Sequence, residues 1–413
     1  MNKTMKTIKL KLLLLVLASA FSLQPSALHA QGSLTPSGTP APTMKSLDQI
    51  EARIIVNAAN TPGNSTNTFI INAPGSYYLT GNITGASGKH GISIQTNDVT
   101  LDLNGFSIIS GGGGAFRGIN VLGVQKNFCI RNGTVRGWTD GGVRTDLATS
   151  TLAEKLRLSD NVGATGLALG NGAAKDCVAT GNATGFVIGN GAQIKDSAAS
   201  ANIIGFSASD RSHINNCIST VNTGDGFNCT SYVNLMDCTS SRNGGNGIVT
   251  LAGCSILRCN VSKNIPFGYG IQAGTGCMVA DCAVDSNGLD GIDVDSGSTI
   301  RNCAAYGNTS RGIVGNNGAC RIVGNHCDAN GDNGILVQGS SSGDKNRVEG
   351  NSCTLNGSTG FVINGIHNLV ICNSASGNIA AYAIPANNAP GPIVDMTGGG
   401  TISSTSPWAN FSY

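Results

Sequence analysis

The segment Gly288-Leu289-Asp290-Gly291-Ile292-Asp293-Val294-Asp295 carries three carboxylates close together. If its second half is a strand, side chains alternate between two faces, so Asp293 and Asp295 emerge on one side about 6.6–6.8 Å apart. Carboxylates at that separation suit paired acid and base work on a glycosidic bond, because a water molecule fits between them. Two other readings of these residues stand beside that one. They could be oxygen ligands for Ca²⁺, or solvated turn and strand residues, since Asp is common beside Gly in turns. Neighbouring stretches place Asn228, Tyr269, Gln272, Arg311 and Asn316 in corresponding positions. These five are therefore candidate substrate contacts beside Asp290, Asp293 and Asp295 as candidate catalytic groups.

Other chemistries lack their residues. His90, His213, His326 and His367 form no His-x-His or His-x-x-x-His pair, and no Cys-x-x-Cys occurs, so no transition-metal site is expected. The run Gly111-Gly112-Gly113-Gly114 lacks the Lys and Ser/Thr of a phosphate loop and reads as a turn. No cofactor is expected, with Ca²⁺ as the one candidate ion.

The elements that would hold these groups come from a repeat. A Gly followed by an apolar residue recurs thirteen times between Gly91 and Gly360, at steps of 19 to 27 residues. The following residue is Ile, Val, Leu or Phe each time, which predicts strands buried on one side. A second column holds Cys177, Ser197, Cys217, Cys238, Cys259, Cys282, Cys303 and Cys372. A third holds Asn182, Asn202, Asn222, Asn243, Asn264, Asn287, Asn308, Asn330 and Asn378. Three columns in about 21 residues predict three short strands per coil. Coils stacked about 4.8 Å apart would let the Asn amides bond along the axis.

With its repeated Asn-x-x-x-Gly-Ile-x-Val pattern over about residues 68–384, the chain resembles the right-handed parallel β-helix superfamily, the pectate-lyase-like solenoids. The resemblance implies an all-β, right-handed parallel β-helix of about 13 coils, capped at both ends. It does not select among the lyases, glycosidases, epimerases, adhesins and tailspikes that share the fold. Within it, the 288–293 segment resembles the Asn-Thr-Asp-Gly-Ile-Asp element of polygalacturonase-type glycosidases, which implies a catalytic role for Asp290. One coil later, where that family has paired aspartates, this chain has Ser310-Arg311, and its Gly-His-Gly element is missing.

The ends read differently. Lys3, Lys6, Lys9 and Lys11 precede the apolar run Leu12 to Leu17 and then small residues, the layout of an export signal over 1–30, cleaved after Ala20 or Ala30. Residues 31–45 read as a flexible leader and 46–87 as an N-terminal cap, with a short helix from Ser46 to Asn57 and strand, turn, strand from Phe69 to Leu79. The β-helix is assigned to 88–383 and a C-terminal cap to 384–413, with Trp408, Phe411 and Tyr413 over the last coil. Without residues 1–30 the chain keeps 21 basic and 23 acidic residues, a net charge of −2, which is no footprint for nucleic acid. No later stretch has the apolar length of a transmembrane helix.

The 14 cysteines admit two readings. Export favours disulfides, whereas one Cys per coil on a buried strand favours a stack of free thiols, with Cys254 and Cys277 in a smaller one. An early patch of Arg117, Asn120, Arg144 and Asp146, near Lys126, Arg131, Arg136, Lys155 and Arg157, makes the first coils locally basic and suited to an anionic polysaccharide. The expectation is a secreted or extracytoplasmic monomer presenting an extended face to a polysaccharide or cell-surface glycan. A polysaccharide-active enzyme working near residues 290–295 is the alternative, and an envelope protein without a ligand is the third reading.

Overall fold

The computed structural model describes residues 51–114, 116–339, 345–399 and 401–413. The export segment, the leader and residues 46–50 of the expected helix lie outside the described residues. Residues 53–413 form one unit.

The Gly-apolar segments become the parallel strands of one fifteen-stranded sheet, from Asn67–Ile71 to Ala380–Ala383. Fifteen replaces the expected thirteen because the first and last strands carry Thr68 and Ala381 where the others have glycine. The other two strands of each coil belong to a thirty-stranded sheet. They are separate three-residue strands in most coils and merge into eleven-residue strands at Lys126–Arg136 and Thr149–Ser159. No helix occurs among the described residues. Ile54–Ile55 is a strand paired with Tyr77 and Tyr78, in place of the last turn of the expected helix. The strand, turn, strand reading holds at Asn67–Ile71 and Gly75–Tyr78.

The core lies inside the coil. The residue after each glycine points inward and stacks on its equivalent: Phe186, Phe206 and Phe227 have ring centroids 5.0 and 4.8 Å apart, and Ile248, Ile271, Ile292 and Ile313 follow in register. The glycines are there for close approach. A Cβ on Gly226 would lie 2.6 Å from the Gly247 carbonyl oxygen and 2.8 Å from the Asn243 amide nitrogen.

The asparagine column is a continuous ladder. Ten side-chain hydrogen bonds of 2.9–3.1 Å join Asn161, Asn182, Asn202, Asn222, Asn243, Asn264, Asn287, Asn308, Asn330, Asn356 and Asn378. Each Oδ1 also accepts a backbone N–H from one coil earlier, that of Trp138 at Asn161 and of the preceding asparagine thereafter, as Asn264 does from Asn243 at 3.1 Å. The second amide proton goes to a carbonyl of the preceding coil, such as Asn182 Nδ2 to Leu158 at 3.0 Å.

The other two corners follow the same rule with mixed chemistry. The column of Cys177, Ser197 and Cys217 through Cys303 passes to Asn325, Asn351, Asn373 and Asn410, with Cys303 N–H donating to Asn325 Oδ1 at 2.9 Å. Cys372 is therefore not a member, because Asn373 occupies its rung and Cys372 sits in the preceding left-handed turn residue at φ 58°. Cys254 and Cys277 lie in a third column that runs through Ser298 and Cys320 into Asn346, Asn368 and Asn388. All fourteen cysteines are free thiols, and all but Cys129 and Cys372 are buried. At the C-terminal end, Asn410 completes the second column and Tyr382 Oη donates to the Asn373 and Phe411 carbonyls. Trp408 and Tyr413 are more than half exposed, so this end is closed by the strand Asn410–Ser412 rather than by packed aromatics.

Two outcomes follow. Native protein treated with a thiol reagent is expected to label only at Cys129 and Cys372 by peptide mass spectrometry, and at every cysteine after denaturation without reductant; a disulfide framework would leave most unlabelled in both. Asn264→Ala strands buried donors and acceptors on two coils and should cost about 2–4 kcal/mol in urea unfolding, against about 0.5 kcal/mol or less for the exposed Asn260→Ala.

Candidate functional site

The outward side of the fifteen-stranded sheet carries the candidate residues. Gln272, Asp293 and Val314 are paired in register on successive strands, so their side chains stand side by side. Gln272, Asp293, Asp295, Asn316, Asn317 and Gln338 line one groove of ≈ 480 Å³ together with Ala273, Gly274 and the segment Val249-Thr250-Leu251. Asn228 lies on the same sheet two strands away, with Val249 between it and Gln272, and donates to Asp225 Oδ2 at 3.2 Å. It does not reach the groove.

Asp293 and Asp295 share the groove but have opposite electrostatics. Burial, reinforced by the charge of nearby Asp290, pushes the Asp293 carboxyl up to about 6 against the opposing pull of Arg311 and of the Asn316 hydrogen bond. On the following coils Val314 and Leu336 occupy the positions in register with it and are themselves buried. Asn316 Nδ2 donates to Asp293 Oδ1 at 2.6 Å. Asp295 is held below the usual carboxylate range by Asn317 Nδ2 and the Ser296 N–H, each 2.7 Å away, with a further bond from Thr275 Oγ1 at 3.3 Å. Two carboxyls whose surroundings push their pKa values apart can act as acid and base in one site.

Asp290 is buried, its side chain only 5% exposed. Its Oδ1 accepts the Arg311 backbone N–H at 2.9 Å, and the Arg311 guanidinium lies 3.4 Å from Asp290 and 3.7 Å from Asp332. Asp225 does the same for the Asn246 N–H, and Asn246 for Tyr269. The position before the glycine is thus a rung between coils wherever it carries an acceptor, as at Asp225, Asn246 and Asp290, and Asp290 positions Arg311. Tyr269 lies beside this group: burial, then the charges of Asp293 and Asp290, raise its phenol pKa.

Asn317, Gln338 and Asp332 were outside the sequence expectation. Gln338 continues the column of Asp295 and Asn316 one coil further, a signal present in the sequence. Phe267 was also missed. It is 78% exposed on the corner leading into Tyr269, where residues 265–267 bulge over Gly288. The visible signal is the step of 23 residues from Gly247 to Gly270.

The early patch departs from expectation. Arg117 is paired with Asp140 at 2.7 Å and with Asn120 at 2.8 Å, and Arg144 holds Asp146 through two bonds of 3.1 and 2.8 Å. Lys126, Arg131, Arg136, Lys155 and Arg157 stand on the long strands of the other sheet. The face is therefore not basic, because its arginines are neutralised in place and the remaining cations belong elsewhere. Among the described residues, no group of three or more His, Cys, Asp or Glu is placed to hold a metal ion, and no helix is long and apolar enough to cross a membrane.

Residues 251–397 match the family model described as a right handed beta helix region. No curated protein matches the chain. Among solved structures, the periplasmic alginate epimerase AlgG is similar at 12% identity and a TM-score of 0.42, over 82% of each chain. The catalytic unit of a GH87 α-1,3-glucanase from Streptomyces thermodiastaticus gives 12% and 0.39, over 76% of this chain and 63% of its own. Pectate lyase Pel9A gives 15% and 0.36, over 64% and 69%. At these identities the likeness is one of fold.

The Asp293 environment has a measurable sign. A carboxyl that titrates near 6 when folded and near 3.9 when unfolded binds its proton more tightly in the folded state. Its contribution to stability is then complete below about pH 4 and is lost as pH rises through 6. Asp293→Asn should remove that slope and gain about 1 kcal/mol over the native chain between pH 4 and pH 7.5. Carboxyl-carbon NMR titration should show Asp293 near 6 and Asp295 below the ordinary range.

Proposed function

We propose that this parallel β-helix, of which residues 251–397 match the right handed beta helix region model, binds a polysaccharide along the outward face of its fifteen-stranded sheet, centred on the groove of Gln272, Asp293, Asp295, Asn316, Asn317 and Gln338. The observation that carries this reading is the groove itself. Amides and carboxylates line it together with small and apolar residues, and such a lining donates to and accepts from sugar hydroxyls. Phe267 supplies an exposed ring at the corner beside Tyr269, a surface on which the apolar face of a sugar can rest. Because coils repeat about every 4.8 Å, a chain lying along the axis meets an equivalent row on each strand. The lysine-flanked apolar segment within residues 1–30 supports an exported location for this activity.

A second reading is favoured by one observation, the divergence of Asp293 and Asp295. With Asp293 protonated in part near neutral pH and Asp295 ionised, the pair would serve as general acid and general base in hydrolysis of a glycosidic bond with inversion. Asp290 and Arg311 would act by positioning.

The test is a glycan-array screen of the full chain with and without Ca²⁺, followed by product analysis on each polysaccharide bound. Binding that weakens about three- to tenfold in Phe267→Ala, and at least tenfold in Gln272→Ala/Asn316→Ala, is the expected outcome. Cleavage that is lost in Asp293→Asn or Asp295→Asn while binding persists would establish the enzyme. Binding unaffected by changes in the groove would refute its location.

A further inference from the structure

Resting on the glycan-binding reading, we infer that the groove selects polysaccharides without carboxylates and is strongest for those bearing ammonium groups, such as glucosamine polymers. The argument is one of net negative charge at a built groove. No lysine or arginine lines it, while Asp293 and Asp295 do. Arg311, whose charge partly offsets that of Asp293, lies 3.4 Å from Asp290 and 3.7 Å from Asp332 and does not line the groove. Asp293 Oδ1 accepts from Asn316, and its Oδ2 accepts no hydrogen bond among the described residues. That oxygen is left for a ligand hydroxyl or ammonium.

The rest of the face does not reverse this balance. Toward the N-terminal end, the strands Thr165–Leu169, Thr184–Ile188 and Ile204–Ala208 carry no charged residue. Beyond them Arg117 and Arg144 are paired with Asp140 and Asp146. Asp225 adds a further carboxylate nearer the groove. A polyuronate laid along this sheet would place a carboxylate on every sugar against unpaired carboxylates, with no guanidinium in the groove to receive it. Like charges so placed repel, and water screens them less in a groove than on open surface. An ammonium in the same place meets the ionised Asp295 and draws Asp293 into its ionised form. The amides Gln272, Asn316 and Gln338 read hydroxyls without regard to charge, so neutral sugars fall between.

The test compares three oligosaccharides of equal length against the full chain by calorimetry at pH 6: glucosamine, N-acetylglucosamine and galacturonate. Glucosamine oligomers are expected to bind at least tenfold more tightly than their N-acetylated counterparts, and galacturonate at least tenfold more weakly than either. The glucosamine advantage should shrink severalfold between low and high salt and disappear in Asp293→Asn/Asp295→Asn. Galacturonate binding equal to or tighter than glucosamine would overturn this inference while leaving glycan recognition standing. Failure of all three oligomers to bind would overturn both.

Discussion

Every corner of this coil must leave its sheet, and a corner residue's N–H then loses the partner a straight strand would give it. Buried without an acceptor, such a group costs about 1–3 kcal/mol. Along the three corner columns the chain meets this constraint in one way: the side chain at the equivalent position one coil later accepts the N–H. Asparagine does so along one corner over eleven rungs joined by ten side-chain bonds, and cysteine, serine and asparagine share the task along the other two. Because each acceptor belongs to the next coil, no rung is satisfied alone, and stability is a nearest-neighbour property of the stack. The glycine column follows from the same demand, since the ladder amide and the next carbonyl occupy the space a Cβ would need.

That constraint decides which residues are available for chemistry. A side chain that serves as a rung is committed, whatever its acidity. Asp290 shows this most clearly, since its carboxylate accepts the Arg311 N–H as Asp225 accepts that of Asn246. Positions two and four past each glycine make no such contribution and are free to vary. Gln272, Asp293, Asp295, Asn316 and Gln338 occupy those positions, and their types change from coil to coil while the inward column stays apolar. Function on this scaffold can therefore be altered locally without cost to the winding.

The same distinction explains how much was legible in the sequence. The inward column and the asparagine ladder were visible because a single residue type suits each and recurs at nearly constant steps. The second column was followed only as far as Cys303, because a thiol, a hydroxyl and an amide all accept an N–H, so its continuation as Asn325, Asn351, Asn373 and Asn410 carries no constant letter. Cys372 was assigned to it by residue type although Asn373, its neighbour, holds the rung. The last coil escaped because no coil follows it in that sheet, so the close approach that demands glycine is absent at Ala381, and the first escaped because it carries Thr68 at the glycine position. The outward alternation placed Gln272, Asp293, Asp295 and Asn316 on one surface correctly. It could not show that Asn228 is separated from them by Val249, nor that Arg117 and Arg144 are neutralised by Asp140 and Asp146, since those pairs depend on side-chain direction.

The contrast between Asp293 and Asp295 has a structural origin that the two-residue spacing alone does not contain. Asp293 lies within the strand Ile292–Val294 and Asp295 directly follows it, so their environments differ through the neighbouring coils and the turn. Asp293 sits mid-strand, where it pairs in register with Val314, and its burial raises its pKa. Asp295 sits at the strand's end, where the chain turns and the Ser296 N–H and the Asn317 amide are free of the sheet and point to it. The buried mid-strand position thus favours the protonated acid, and the strand-end position favours the anion. An acid and a base of different strength arise two residues apart, and burial at one and free donors at the other determine which is which.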